Sequence, residues 1–235
     1  MALNLLMLGP PGAGKGTQAE RFARTHNIPK ISTGEILREA VAAGTDIGRR
    51  AKATMDRGEL VNDDVMIGIL RERIEREDAC GGFVLDGFPR TVAQAAALDG
   101  LMAGRDPLTV VDIVVPEPEL VRRLASRLIC ESCGVGAPMG GGSEVACARC
   151  GGKLVQRTDD DEAVVRERLK VYHRQSEPLV EYYRVRPTFR SIDGTQPPDR
   201  VAADIAAAIE STGVGAVDGV GKAVDKNGVR QGAQP

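Results

Sequence analysis

Apolar residues along this chain fall into two alternating patterns. Short runs rich in Leu, Ile, Val or Phe occur at Leu3 to Leu8, Ile28 to Ile31, Phe83 to Leu85, Val110 to Val115 and Thr188 to Ile192. Bounded by turn residues, they read as buried strands. Longer segments with helical character lie between them, the first from Lys15 to Thr25. Ser32 and Glu35 form a capping-box pattern that opens a helix ending near Gly44. A short helix from Ile47 to Arg57 stops at Gly58, and Asn62, Asp63 and Asp64 open the next, where Met66, Leu70 and Ile74 form one apolar stripe. Near the end, Val201, Ile205 and Ile209 repeat at i, i+4 and i+8 within Asp199 to Glu210.

Strand and helix in alternation predict an α/β fold with a parallel sheet. The two small helices before Val61 predict an inserted flap rather than a core layer. From Thr212 to Pro235 the sequence is Gly, Val and Ala with scattered charge and no aromatic, Leu or Ile, which predicts a mobile tail. A chain of 235 residues buries one good core with inserted subdomains. The N-terminus enters an apolar strand without a basic leader, so neither a signal peptide nor a membrane association is expected, and the cytoplasm is the default. A formal net charge of -2 and 3% aromatic residues argue against a nucleic-acid-binding module.

The first strand runs into Gly9-Pro10-Pro11-Gly12-Ala13-Gly14-Lys15-Gly16-Thr17. Glycines here let successive backbone N–H groups turn onto phosphate oxygens at a helix N-terminus. Lys15 adds a cation for the β/γ region and Thr17 a hydroxyl suited to a Mg²⁺ shell. The strict P-loop places that hydroxyl directly after the lysine, whereas Gly16 intervenes here. Asp86 ends the apolar run Phe83 to Leu85, where it can hold a metal-bound water beside the phosphates. Thr91 and Gln94 form a second capping-box pattern. Arg123 and Arg127, four apart, read as sharing one helical face.

This loop, with Ser32-Thr33-Gly34-Glu35-Ile36-Leu37-Arg38 and Asp86-Gly87-Phe88-Pro89-Arg90, resembles the adenylate kinases and related nucleoside monophosphate kinases. The resemblance runs from about Leu3 to Glu210 and implies a P-loop core of five parallel strands with helices on both faces. Its core would span 1–31, 62–125 and 162–211, with an AMP-binding flap at 32–61, a zinc lid at 126–161 and the tail at 212–235. It implies the reaction MgATP + AMP ⇌ 2 ADP in a monomer with ATP, AMP and ADP as partners. ATP would meet Gly12, Ala13, Gly14, Lys15, Gly16, Thr17, Arg123, Arg127 and Gln196. AMP would meet Thr33, Arg38, Glu59, Leu60, Val61, Gly87, Phe88, Pro89, Arg90, Gln94, Arg157 and Arg168. Arg157 and Arg168 would close over the transferring phosphoryl group, and catalysis would rest on Lys15, Asp86, Arg90, Arg127, Arg157 and Arg168. A related kinase taking GTP as donor, or UMP or CMP as acceptor, is the alternative.

Cys130-x2-Cys133 and Cys147-x2-Cys150 stand 13 residues apart. Paired knuckles of this kind suit a tetrahedral Cys₄ Zn²⁺ site, which would be structural because four protein ligands leave no open position. Cys80, before Gly81-Gly82, reads as an isolated thiol. Within the lid, Gly140-Gly141-Gly142 shortens and loosens the segment between the knuckles, and Gly136-Ala137 replaces the polar-aromatic pair that family members commonly place against ATP.

Overall fold

A computed structural model describes residues 2–137, 146–157 and 160–212. The Gly140-Gly142 segment and nearly all of the predicted tail lie outside the described residues. Among those described, five strands form one parallel sheet: β1 (Leu3–Leu8), β2 (Lys30–Ser32), β3 (Gly82–Asp86), β4 (Leu108–Val114) and, after the lid, β7 (Phe189–Asp193), in the order β2-β3-β1-β4-β7. Such a sheet must be covered on both faces, which explains strands that are apolar on both sides.

One face packs against α1 (Lys15–His26), α6 (Glu117–Ala125), α7 (Glu162–Val171) and α9 (Pro198–Glu210). Leu5, Met7, Val84, Val111, Ile113 and Ile192 of the strands meet Phe22, Leu124, Leu169 and Ile205 of these helices. The other face, with Leu6, Leu8, Ile31, Phe83, Leu85 and Val110, packs against α2 (Thr33–Ala42), α3 (Asp46–Asp56), α4 (Asp63–Ile74), α5 (Val92–Met102) and α8 (Pro178–Arg184). The predicted stripe Met66, Leu70 and Ile74 is fully buried there. A separate antiparallel ribbon, β5 (Leu128–Cys130) with β6 (Leu154–Gln156), carries the cysteine knuckles.

Three local expectations need correction. The second strand begins at Lys30 rather than Ile28, because Asn27 takes a left-handed conformation (φ 52°) and the Ile28 N–H closes the end of α1 on the Ala23 carbonyl. Ser32 and Glu35 do not form a capping box: Ser32 makes no side-chain cap, and Glu35 accepts from the Lys30 ammonium at 2.7 Å. Finally, α6 ends at Ala125, so Arg127 lies beyond the helix that carries Arg123.

Candidate active site

The strand order turns at β1, and ligands of open α/β sheets bind beyond the carboxyl ends of strands at such a point. A cavity of about 1510 Å³ lies there, walled by the loop after β1, the ends of β2 and β3, the ribbon β5–β6 and the segment after α7. Gly14 caps α1 in a left-handed conformation (φ 97°), which a residue with a side chain resists. At Gly9 (φ 132°), an added Cβ would sit 2.6 Å from the Ile113 carbonyl oxygen. Gly16 now has a reason: a Cβ there would come within 3.2 Å of the Asp86 carboxylate, so its absence lets Asp86 approach the first turn of α1.

The Lys15 ammonium donates to the carbonyls of Gly9 at 2.7 Å and Pro10 at 2.8 Å, leaving one of its three donors for a ligand. Burial lowers its pKa from 10.5 to about 8; Asp86 opposes the shift, while Arg90, Arg168 and Arg127 reinforce it.

On the β2–β3 side, Thr33 donates its hydroxyl to the Gly87 carbonyl at 2.8 Å, and Arg90 Nε donates to the same oxygen at 2.8 Å. The Arg38 and Arg90 guanidiniums converge over Gly34, within 3.2 and 3.7 Å of where a Cβ would stand. Glu59, Leu60, Val61 and Pro89 complete this wall. Gln94 lines it too, though only 2% exposed. Its Oε1 accepts from the Arg90 N–H at 2.7 Å and its Nε2 donates to Asp63 at 2.7 Å. Thr91 caps α5 as expected, but the reciprocal bond from Gln94 lands on residue 90 rather than 91.

On the ribbon side, Arg123, Arg127, Arg157 and Arg168 all reach the cavity. Arg123 is held by Glu119 at 2.7 Å and by the Gly194 carbonyl at 2.9 Å. Arg127 forks onto the Asp160 carboxylate, with Nε at 2.7 Å, and Arg168 reaches the same carboxylate at 3.1 Å. Asp160 is 1% exposed, and no sequence motif singles it out. Its place in an acidic run between two motif arginines was the available signal. Asp161 caps α7, and Asp159 lies outside the described residues.

Ala13, Phe88 and Gln196 do not line the cavity. Ala13 and Phe88 are buried beneath it, while the Gln196 amide donates to Asp204 at 2.9 Å and to the Asp193 carbonyl at 3.2 Å. Beside Gly136, an added Cβ would meet nothing within 4 Å, so the wall is bare where a larger pair was missing from the sequence.

The sulfurs of Cys130, Cys133, Cys147 and Cys150 all lie within 4.8 Å of one another. Cys130 and Cys150 approach to 3.4 Å and Cys133 and Cys147 to 3.7 Å. These separations exceed a disulfide bond and match the ~3.8 Å edge of a tetrahedron with Zn–S of about 2.3 Å. The Cys133 backbone N–H, then the Cys150 thiol and the Ser132 N–H, pull the Cys130 thiol down to about 6 against the effect of burial, while against the Gly152 N–H the Cys130, Cys133 and Cys147 thiols push its partner Cys150 up to about 12. The donor set therefore fits zinc. Cys80 stands apart and exposed.

Comparison with known proteins points one way. Residues 7–188 match the family model described as adenylate kinase. The adenylate kinase of Archaeoglobus fulgidus is 48% identical over 215 residues, covering 88% of this chain and 98% of that protein. That of Thermodesulfovibrio yellowstonii is 47% identical over 215 residues, covering 88% and 99%. A Geobacillus adenylate kinase is 47% identical over 211 residues, covering 86% and 96%.

Proposed function

The chain belongs to the adenylate kinase family and is an ATP:AMP phosphotransferase, and from that premise we propose how its residues divide the work. One observation carries the assignment: Lys15, Arg90, Arg127 and Arg168 come from four segments to line one cavity, and the three guanidiniums bear on the buried Lys15 ammonium even with Asp86 and Asp160 among them. That concentration of positive charge at the end of β1 suits a ligand that carries several negative charges. A nucleoside triphosphate beside a monophosphate is such a ligand.

In this reading the loop amides from Gly12 to Thr17 and Lys15 hold the ATP phosphates, with Arg123 beside the donor base. The loop at Gln196 contributes through its neighbour Gly194, which anchors Arg123. Thr33, Arg38, Arg90 and Gln94, with the 59–61 and 87–89 segments, hold AMP. Gln94 keeps one amide hydrogen and one lone pair for adenine. An oxygen of the AMP phosphate attacks Pγ as the bond from Pγ to the β-bridging oxygen breaks, and charge accumulates on the three equatorial oxygens. Arg127, Arg157 and Arg168 face that charge, which is where preorganised cations lower a barrier. No side chain need act as a general base.

Asp86, with the Ser32 hydroxyl 3.5 Å away, and Thr17 on the first turn of α1 offer the oxygen ligands a hard cation prefers. They would hold Mg²⁺, directly or through its waters. Bound with ATP, that ion supplies charge neutralisation across the β- and γ-phosphates. The flap at 32–61 and the lid at 126–161 exclude water, which would otherwise take the phosphoryl group. The enzyme works as a monomer in the cytoplasm, free of membrane and nucleic acid; no helix among the described residues is long and apolar enough to cross a membrane.

Mixing the protein with MgATP and each nucleoside monophosphate tests the reading. ADP forms rapidly with AMP, and hydrolysis of ATP alone is slower by orders of magnitude. Equal transfer to UMP or CMP, or a requirement for GTP, overturns the acceptor or donor assignment.

Zinc in the Cys₄ cluster is structural. Each chain releases one Zn²⁺ to a chelator after thiol modification, measured by metal-indicator absorbance. Amide exchange then accelerates across β5 and β6 while the parallel sheet stays protected, because a metal binding free energy of about 10 kcal/mol or more is lost from a ribbon with little core of its own. Retained ribbon protection in metal-free protein would refute this.

A further inference from the structure

The chain changes faces of the sheet between α7 and α8. Val165 and Leu169 of α7 pack on the face with α1 and α9, whereas Leu179 and Tyr183 of α8 pack on the face with α4 and α5. A π-helical turn, Tyr172–Ser176, makes the crossing, with the Glu177 N–H donating to the Tyr172 carbonyl at 2.9 Å. So wide a turn inserts one residue relative to an α-helix and rotates the succeeding helix, α8, by ~100°. π-Helical turns are frequent at functional sites, and this one borders the cavity through Val171, Tyr172 and Ser176.

Beside the cavity, Ser176 Oγ donates to the main-chain carbonyl of Arg90 at 2.8 Å, across 86 residues of sequence. Arg90 is also fixed close by in sequence. Its N–H goes to Gln94 in the first turn of α5 and its Nε to Gly87 in its own loop. Asp63 of α4 then steadies that loop by accepting from Thr91 Oγ1 at 2.9 Å and from Gln94 Nε2. Ser176 thus ties the loop to the helix that returns from the ribbon side.

We propose that Ser176 is a positioning residue for phosphoryl transfer: the π-helical turn sets its hydroxyl against the Arg90 carbonyl and so fixes the guanidinium that faces the acceptor phosphate. The inference rests on the assignment of Arg90 to AMP. A guanidinium must be held within about 0.5 Å of its productive place, and the peptide it hangs from is the lever. Without the hydroxyl, the Arg90 carbonyl loses its tie to the helix that returns from the ribbon side, and the loop is steadied from the α4–α5 side through Gln94 and Asp63.

Steady-state kinetics of Ser176→Ala and Ser176→Thr, varying AMP and ATP separately, test this. Ser176→Ala lowers kcat/KM for AMP about fivefold, the usual worth of one neutral hydrogen bond, with the KM for ATP unmoved. Ser176→Thr, which keeps the hydroxyl, restores the wild-type value. In an Arg90→Ala background, Ser176→Ala adds nothing. An Arg90→Ala enzyme that uses AMP normally would remove the assignment of Arg90 itself. If Arg90→Ala is crippled while Ser176→Ala is normal, affects both substrates equally or is not rescued by threonine, only the proposal about Ser176 falls.

Discussion

Lys15→Met slows phosphoryl transfer about 10³-fold, the upper range for removing one preorganised donor from a charge-stabilising site, and the protein stays folded. Two carbonyl contacts aim the Lys15 amine, and burial with three guanidiniums brings its pKa to about 8. A phosphate reverses the balance by stabilising the ammonium. Nucleotide affinity is therefore full below pH 8 and falls as pH rises through it, and binding at pH 8.5 takes up a proton. Calorimetry in buffers of different ionisation enthalpy reads that uptake, which Lys15→Met abolishes. Stability runs the other way. A lysine with a lowered folded pKa binds fewer protons than in the unfolded chain, so its burial costs stability below pH 8 and that cost fades toward pH 10.5. At pH 7 the methionine variant melts no lower than the wild type; a lower melting point, or undiminished activity, would count against this account.

What was legible in the sequence was local. The glycine loop, the strand ending at Asp86 and the paired cysteines each declare themselves within a few residues, because backbone conformation and ligand spacing are set there. All six arginines picked out by their motifs reach the cavity. What failed involved competition between local and distant partners. Ser32 and Glu35 carry a capping pattern, yet Asp86 lies beside the serine and Lys30 takes the glutamate. Arg123 and Arg127 are spaced for one helix face, but the helix ends between them and Arg127 is oriented by Asp160, 33 residues away. Ser176 carries no motif, since its partner is 86 residues distant. Asp63 was legible as a helix opener but not as the carboxylate that braces the start of α5.

Asp160→Asn is the second substitution with a large expected effect, although Asp160 touches no substrate in the proposed mechanism. Its buried carboxylate accepts from both Arg127 and Arg168, whose side chains are 25% and 17% exposed. An amide of the same size keeps one acceptor oxygen, presents a donor to the other guanidinium and removes the charge. Two cations meant to face a phosphoryl group would then repel each other with nothing between them. Breaking a fully buried pair costs about 3–5 kcal/mol, and the partial exposure of both arginines reduces this to about 1–2 kcal/mol of stability. Activity suffers more than stability, because both misplaced guanidiniums act on the transition state: kcat drops about 10²-fold while the KM for AMP changes little. Comparing Asp160→Asn with Arg127→Ala and the double variant separates the roles. If Asp160 acts by aiming Arg127 and Arg168, the double variant is much less impaired than the product of the single effects predicts. Independent, multiplying effects would mean that Asp160 acts by some route other than these two guanidiniums.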